Sequence, residues 1–293
     1  AATNPAEAYN SLQKLAENQC IHSHLPKRPF PCYTEFHKNM RKLFIVLVVL
    51  GFAAGIHALS GRPDALASVT IQSGDLIRGQ TFNAVYYYGK DGFRYVFPNE
   101  KTYFTWYSDF NGVKMIPDSQ LGEIQIGGNV TYRPGVKMIK INTDAKTYAV
   151  DAGGVLRHVT GEQVAKDLYG NVWNKQIDDV PDAFFANYKV GDPIGLSSAF
   201  NRSAITAYAD TINNDKGLQS PAVVTINDSG YSPSSVNIEA GRVVKFTNGG
   251  TINHTVSADD LSWGSGTMNA GKSFSRKFSK PGTYSFFDTY NSQ

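Results

Sequence analysis

Residues 222–248 read AVVTINDSGYSPSSVNIEAGRVVKFTN, and the reading of this stretch decides the fold of the C-terminal part of the chain. Three runs rich in Val, Ile and Thr, at 223–226, 236–238 and 243–247, are separated by Gly, Pro, Asp and Ser, the residues that turn a chain. Each run is too short for a helix, and the turns recur about every ten residues, the rhythm of sandwiches. The expectation is an all-β Greek-key sandwich over residues 221–293, incomplete at its C-terminal end.

Two later segments extend the pattern: NHTV at 253–256 and GKSFSRKFSKPGTYSFF at 271–287. Together with 230–248 they resemble the cupredoxin family of plastocyanin-like domains. That resemblance implies a type 1 copper site built from two His, one Cys and a weak axial Met. Residue by residue, His254 stands at the first His position, Asp288 at the Cys position and Asn291 at the second His position; the Met position lies beyond Gln293. Met268 comes before the final strand pair and does not supply the missing ligand. A thiolate is the soft donor that defines the blue site, whereas a carboxylate is hard and an amide neutral. The expectation is therefore a sandwich that has lost type 1 copper, with no cofactor and with His254 as a structural residue. The alternative is a copper-handling or electron-transfer protein in which His254 recruits other ligands, or a weak site for a harder metal at His254, Asp288 and Asn291.

Upstream, the chain repeats itself. IPDSQLGEIQIGG at 116–128 returns as VPDAFFANYKVGD at 180–192, and VYYYGKDGFRYVF at 85–97 answers to TYAVDAGGVLRHV at 147–159. A period near 64 residues points to a duplicated supersecondary unit, about 68–131 and 132–195. Each copy reads as an opening strand (75–78 or 136–141), a hairpin turning on KDG at 90–92 or AGG at 152–154, and a short helix. Pro98 is expected to open the first helix, with Tyr103, Phe104 and Tyr107 on its inner face. In the second, Thr160 and Gln163 read as a capping box ahead of Val164 and Leu168. A second helical turn follows Pro117 and Pro181, each with an Asp in the first turn. The expectation is one α+β module at 68–195, and 196–220 reads as a linker. The module resembles repeats found in secreted or surface proteins of poorly characterised bacteria, including candidate-phylum lineages, which implies export and a surface role.

Before the module, MRKLFIVLVVLGFAAG at 40–55 combines a start Met, a basic pair and an apolar run, the layout of a secretory signal cut after Ala67 or near Ala58. The uncharged run from Leu43 to His57 is shorter than the ~20 residues of a membrane span, although an uncleaved anchor is the competing reading. With Met40 as the start, residues 1–39 lie upstream, and with them Cys20 and Cys32, whose neighbours His22, His24 and His37 do not follow a zinc-finger spacing. The exported chain then has neither disulfide nor thiolate.

Composition narrows the classes further. A net charge of +3 spread along the chain excludes a nucleic-acid footprint, and 12% aromatic residues favour strands and turns. No nucleophile elbow, phosphate loop or HExxH occurs. His158 reads as a packed strand residue, and Asp178/Asp179 and Asp259/Asp260 as solvated turns, since sequence neighbours on a strand point apart. Tyr103, Trp106 and Tyr107 in KTYFTWYSDF read either as core or as a sugar-stacking platform. The chain is expected to be a non-enzymatic secreted or cell-surface protein that meets an envelope or surface partner, with polysaccharide binding as an alternative.

Overall fold

The computed structural model describes residues 67–291, all within one unit that spans 65–293. Residues 1–66 lie outside the described residues, and with them the signal-like segment up to its cleavage region and the Cys20–His37 cluster. No helix among the described residues is long and apolar enough to cross a membrane.

The duplication is visible strand by strand. In the first copy β1 (Leu76–Arg78), β2 (Val85–Tyr88) and β3 (Arg94–Val96) form an antiparallel meander. Helix α1 (Glu100–Tyr103) leads to β4 (Val113–Met115), parallel to β1, and α2 (Asp118–Glu123) leads to β5 (Ile126–Asn129), parallel to β3. The sheet order is thus β4-β1-β2-β3-β5. The second copy, β6 (Met138–Lys140), β7 (Tyr148–Asp151), β8 (Val155–His158), α3 (Glu162–Tyr169), β9 (Ile177–Asp179), α4 (Asp182–Phe185) and β10 (Lys189–Val190), repeats this as β9-β6-β7-β8-β10. Equivalent residues make equivalent bonds: Ile116 N donates to Arg78 O as Val180 N does to Lys140 O, and Val130 N to Val96 O as Ile194 N does to His158 O. These four donors are all buried, so a conserved apolar rhythm holds both crossovers against their sheets.

Local chemistry differs from expectation at α1 and α3. Asn99, not Pro98, caps α1, its side chain accepting from Thr102 N. Phe104 is exposed rather than inward, because the helix ends at Tyr103. At α3 the cap is Gly161 without a side-chain bond; Thr160 Oγ1 donates to Ile194 O and Gln163 bonds Asp167, so the capping box does not form. Val164 and Leu168 do pack on the second core, and Pro117 and Pro181 do stand at the N-caps of α2 and α4.

Residues 196–220 carry α5 (Arg202–Tyr208) and α6 (Ile212–Asp215). Arg202 lies over the Tyr169 ring at 4.5 Å and donates to the carbonyls of Gly135, Val136 and Leu168. On α6, Asn213 Oδ1 accepts from Lys90 N in the first hairpin turn while Asp215 Oδ1 accepts from Gly153 N in the second. One short helix therefore ties the two copies together, with Ile212 buried in the first core.

The last part is β-rich. β11 (Ala222–Asn227), β12 (Gly230–Ser232), β13 (Val243–Asn248) and β15 (Ser273–Lys277) form a sheet in the order β12-β11-β13-β15; β14 (Ser257–Ala258) pairs with β16 (Phe286–Phe287). Val224, Ile226, Val244, Phe246, Val256, Met268 and Phe278 fill the space between. No closed barrel forms among the described residues. Residues 236–238, expected as a strand, form no strand among the described residues, although Val236 and Ile238 pack against the core.

Candidate functional site

His254 lies beside β14, where its backbone exchanges hydrogen bonds with Met268 (N to O 3.1 Å, O from N 2.8 Å) and its side chain is fully buried. Burying an imidazole leaves two nitrogens to satisfy, and each meets a carboxylate. Nδ1 is 2.6 Å from Asp288 Oδ2, and Nε2 is 3.1 Å from Asp228 Oδ1. Two acceptor-only groups facing both nitrogens require both nitrogens to carry protons, so His254 is an imidazolium bridging two carboxylates.

Each carboxylate is held by its own cage. The buried Asp288 accepts from Thr255 N at 2.8 Å, Tyr290 N at 3.1 Å and Thr255 Oγ1 at 3.3 Å, all at Oδ1, which leaves Oδ2 for the histidine. Asp228, in the turn after β11, accepts from Thr251 N at 2.8 Å, Thr251 Oγ1 at 2.7 Å and Ile252 N at 3.3 Å. Burial alone would push His254 down, but the hydrogen bonds and charges of Asp288 and Asp228 outweigh it, and its pKa is raised. For Asp288, burial pushes the pKa up, yet His254 and the amides of Thr255 and Tyr290 bring it below the ordinary carboxylate value. The Thr251 hydroxyl first, then His254, hold Asp228 down at about 2.

The neighbouring loop is shaped for this bridge. A Cβ at Gly250 would lie 2.1 Å from Asp228 Oδ1 and 2.9 Å from His254 Nε2, so only glycine leaves the carboxylate where it is. Asn248 is buried behind it, accepting from Gly250 N and donating to the carbonyls of Ile252 and Met268.

Of the three residues that the resemblance places at ligand positions, His254 and Asp288 come into direct contact. Asn291 turns its amide nitrogen to Asp228 O at 3.0 Å. The described residues do not suit type 1 copper: there is no thiolate among them, both imidazole nitrogens are engaged, and the carboxylates sit on opposite sides of the ring and do not converge on one point. Among the described residues no group of three His, Cys, Asp or Glu side chains is placed to hold a metal ion. Met268 is buried in the sandwich core.

Nothing local in the sequence marks Asp228 as part of this site. The signal that was there is an Asp closing a strand in INDSG, a turn residue by type; only folding brings it beside His254, 26 positions away.

The aromatic candidates lie elsewhere. Tyr103 is buried, stacked on Phe110 at 4.3 Å with its hydroxyl donating to Asp109 O, and so has no free ring face to offer a sugar. Trp106 is partly buried, its Nε1 donating to Thr131 O and its ring under Arg133 at 5.6 Å. Tyr107 is half-buried against the same core, its hydroxyl pushed up by burial. His158 packs beside Tyr148 at 5.7 Å. Asp178 binds Lys137 and Tyr132, Asp179 pairs with Lys140, and Asp260 caps Ser262, so neither acidic pair works as a unit.

Comparison with curated proteins and with solved structures finds no match to the chain. A protein-family model does match: residues 203–293, less than a third of the chain, are a cupredoxin-like domain, preceded by two similar mixed five-stranded sheets.

Proposed function

We propose that the protein is an exported, non-enzymatic surface or secreted protein whose cupredoxin-like domain has exchanged copper for an internal salt bridge and serves as a structural and binding module beside the duplicated sheets. The observation that carries this reading is the engagement of both His254 nitrogens by Asp228 and Asp288. A copper ion would have to displace a charge-assisted hydrogen bond at 2.6 Å to reach Nδ1, and would find a hard carboxylate where the family has a thiolate. Proton and metal compete for the same lone pairs, and here the proton is held by two negative charges. Export rests on the signal-like segment at 40–67, and the absence of catalysis on the lack of any assembled nucleophile, base and oxyanion arrangement among the described residues.

Titration of the purified chain with Cu(II) tests the reading. The protein stays colourless, and wild type and His254→Ala bind Cu(II) with equal affinity. An intense thiolate-type charge-transfer band, or an affinity that depends on His254, would return the domain to copper handling.

A further inference from the structure

The chain carries two Asn-Gly pairs, at 111–112 and 248–249, and one Asp-Gly pair, at 91–92. All three share one chemistry: glycine has no Cβ, so its backbone nitrogen can swing onto the side-chain carbonyl carbon of the residue before it. Whether that ring closes depends on what else holds the two groups. At Asn248 both are held. The side chain is fully buried, Nδ2 donates to Ile252 O and Met268 O, Oδ1 accepts from Gly250 N, and Gly249 N donates to Ile226 O at 2.9 Å. The buried Asp91 is held likewise: Oδ1 accepts from Phe93 N, Oδ2 accepts from the Tyr95 hydroxyl at 2.6 Å, and Gly92 N donates to Gly89 O at 3.0 Å. Asn111 and Gly112 are both exposed, in the turn that leads into β4. Asn111 N donates to Asp109 Oδ1, and Val113 N closes the turn on Phe110 O. Among the described residues neither the Asn111 side chain nor Gly112 N makes a hydrogen bond, and the space where a Cβ would stand on Gly112 is open.

We propose that Asn111 is a self-modifying site, at which the folded chain deamidates and converts to isoaspartate while the fold protects Asn248 and Asp91. Gly112 N gives up its proton and bonds to Asn111 Cγ, and the side-chain nitrogen leaves as ammonia. Water then opens the cyclic imide at either of its carbonyls, leaving aspartate or isoaspartate; water is the only co-reactant. Closing the ring requires the backbone between the two residues to rotate, and here that strains a solvated turn. At Asn248 the same rotation would first have to break every bond that holds its side chain and Gly249 N inside the sandwich, so reaction there waits on local unfolding. Isoaspartate carries the main chain through the side-chain carbon, which lengthens the turn and parts Val113 N from Phe110 O. Phe110 stacks on Tyr103 at 4.3 Å, and Val113 opens β4, the edge strand parallel to β1. Ageing at this one position therefore loosens the edge of the first sheet and places a new carboxylate beside Asp109. The proposal stands apart from His254 and from any ligand of the cupredoxin-like domain.

The test incubates the full chain at neutral pH, in native buffer and in urea, and follows Asn111, Asn248 and Asp91 by peptide mapping with mass spectrometry and separation of isoaspartyl peptides. In native buffer Asn111 converts at least about tenfold faster than Asn248, and in urea the two rates come within about threefold of each other. Gly112→Ala places its methyl in open space at a φ outside the left-handed region, so the fold is kept, and native conversion at Asn111 slows by about tenfold or more. In the isoaspartyl fraction the Val113 amide exchanges faster than in fresh protein. Equal native rates at the two asparagines, an Asn111 that converts in urea but not in native buffer, or a Gly112→Ala variant that converts as fast as wild type would each overturn it.

Discussion

Replacing Asp288 separates the charge in the buried bridge from its shape. In Asp288→Asn the amide oxygen can keep the bonds from Thr255 N and Tyr290 N, which both reach Oδ1, while the new NH2 faces His254 Nδ1. That nitrogen must then accept, so the ring becomes neutral with its proton on Nε2, still donating to Asp228. One charge-assisted hydrogen bond is exchanged for a neutral one, a loss of about 1–2 kcal/mol. Asp288→Ala instead strands two backbone N–H groups and a buried imidazolium, costing about 3–5 kcal/mol. For a unit of this size each kcal/mol moves the melting temperature by about 2–4 °C, so the Asn variant falls by roughly 2–8 °C and the Ala variant by roughly 6–20 °C. Differential scanning calorimetry reads the melting temperatures, and an NMR titration of the His254 ring reads its protonation, with a raised pKa in wild type that drops in Asp288→Asn. Equal melting of Asn and Ala variants, or a wild-type ring that titrates at its ordinary value, would refute the imidazolium bridge.

The same bridge sets a pH window. His254 has a raised pKa, so its contribution is full below its unfolded value near 6.5 and is lost as pH rises through the folded value; Asp228 and Asp288 are depressed, so theirs is present above about 3.8 and is lost as pH falls through their folded values, about 2 for Asp228. Urea midpoints against pH are expected to be highest between these limits in wild type, with the alkaline fall reduced in His254→Ala. Gly250→Ala pushes the Asp228 carboxylate off Nε2 and lowers both the His254 pKa and the melting temperature, measured by the same titration and melt. Asp215→Ala frees the second hairpin turn from α6 and costs about 1–3 kcal/mol, with faster amide exchange at Gly153 as its local signature. Tyr103→Ala removes the centre of the aromatic cluster and costs about 3–5 kcal/mol in a chemical melt.

Much of this architecture is written in local pattern. The repeat is legible because Ile116-Pro117 returns as Val180-Pro181 at one spacing, and Ile116 and Val180 prove to anchor equivalent crossovers by the same backbone bond, as do Val130 and Ile194 at the same spacing. The sandwich strands at 222–227 and 243–248 follow from β-branched runs between turns. Where local chemistry has two outlets, tertiary contacts choose: Thr160 suits a cap, but the helix begins one residue later behind Gly161, and Thr160 donates both its N–H and its hydroxyl to Ile194 O. Trp106 and Tyr107 carry the same spacing whether they stack on a sugar or on a core, since periodicity records a face and not what covers it.

Taken alone, the sequence determined the duplicated sheet module and the β-rich end, because strand propensity and turn residues are properties of residues and their neighbours. Only the tertiary structure decided what His254 does. Its partners come from positions 228 and 288, at opposite ends of the sandwich sequence, and Gly250 clears the space between. The charge of an imidazole depends on which acceptors meet its two nitrogens, and that meeting exists only once distant strands have packed.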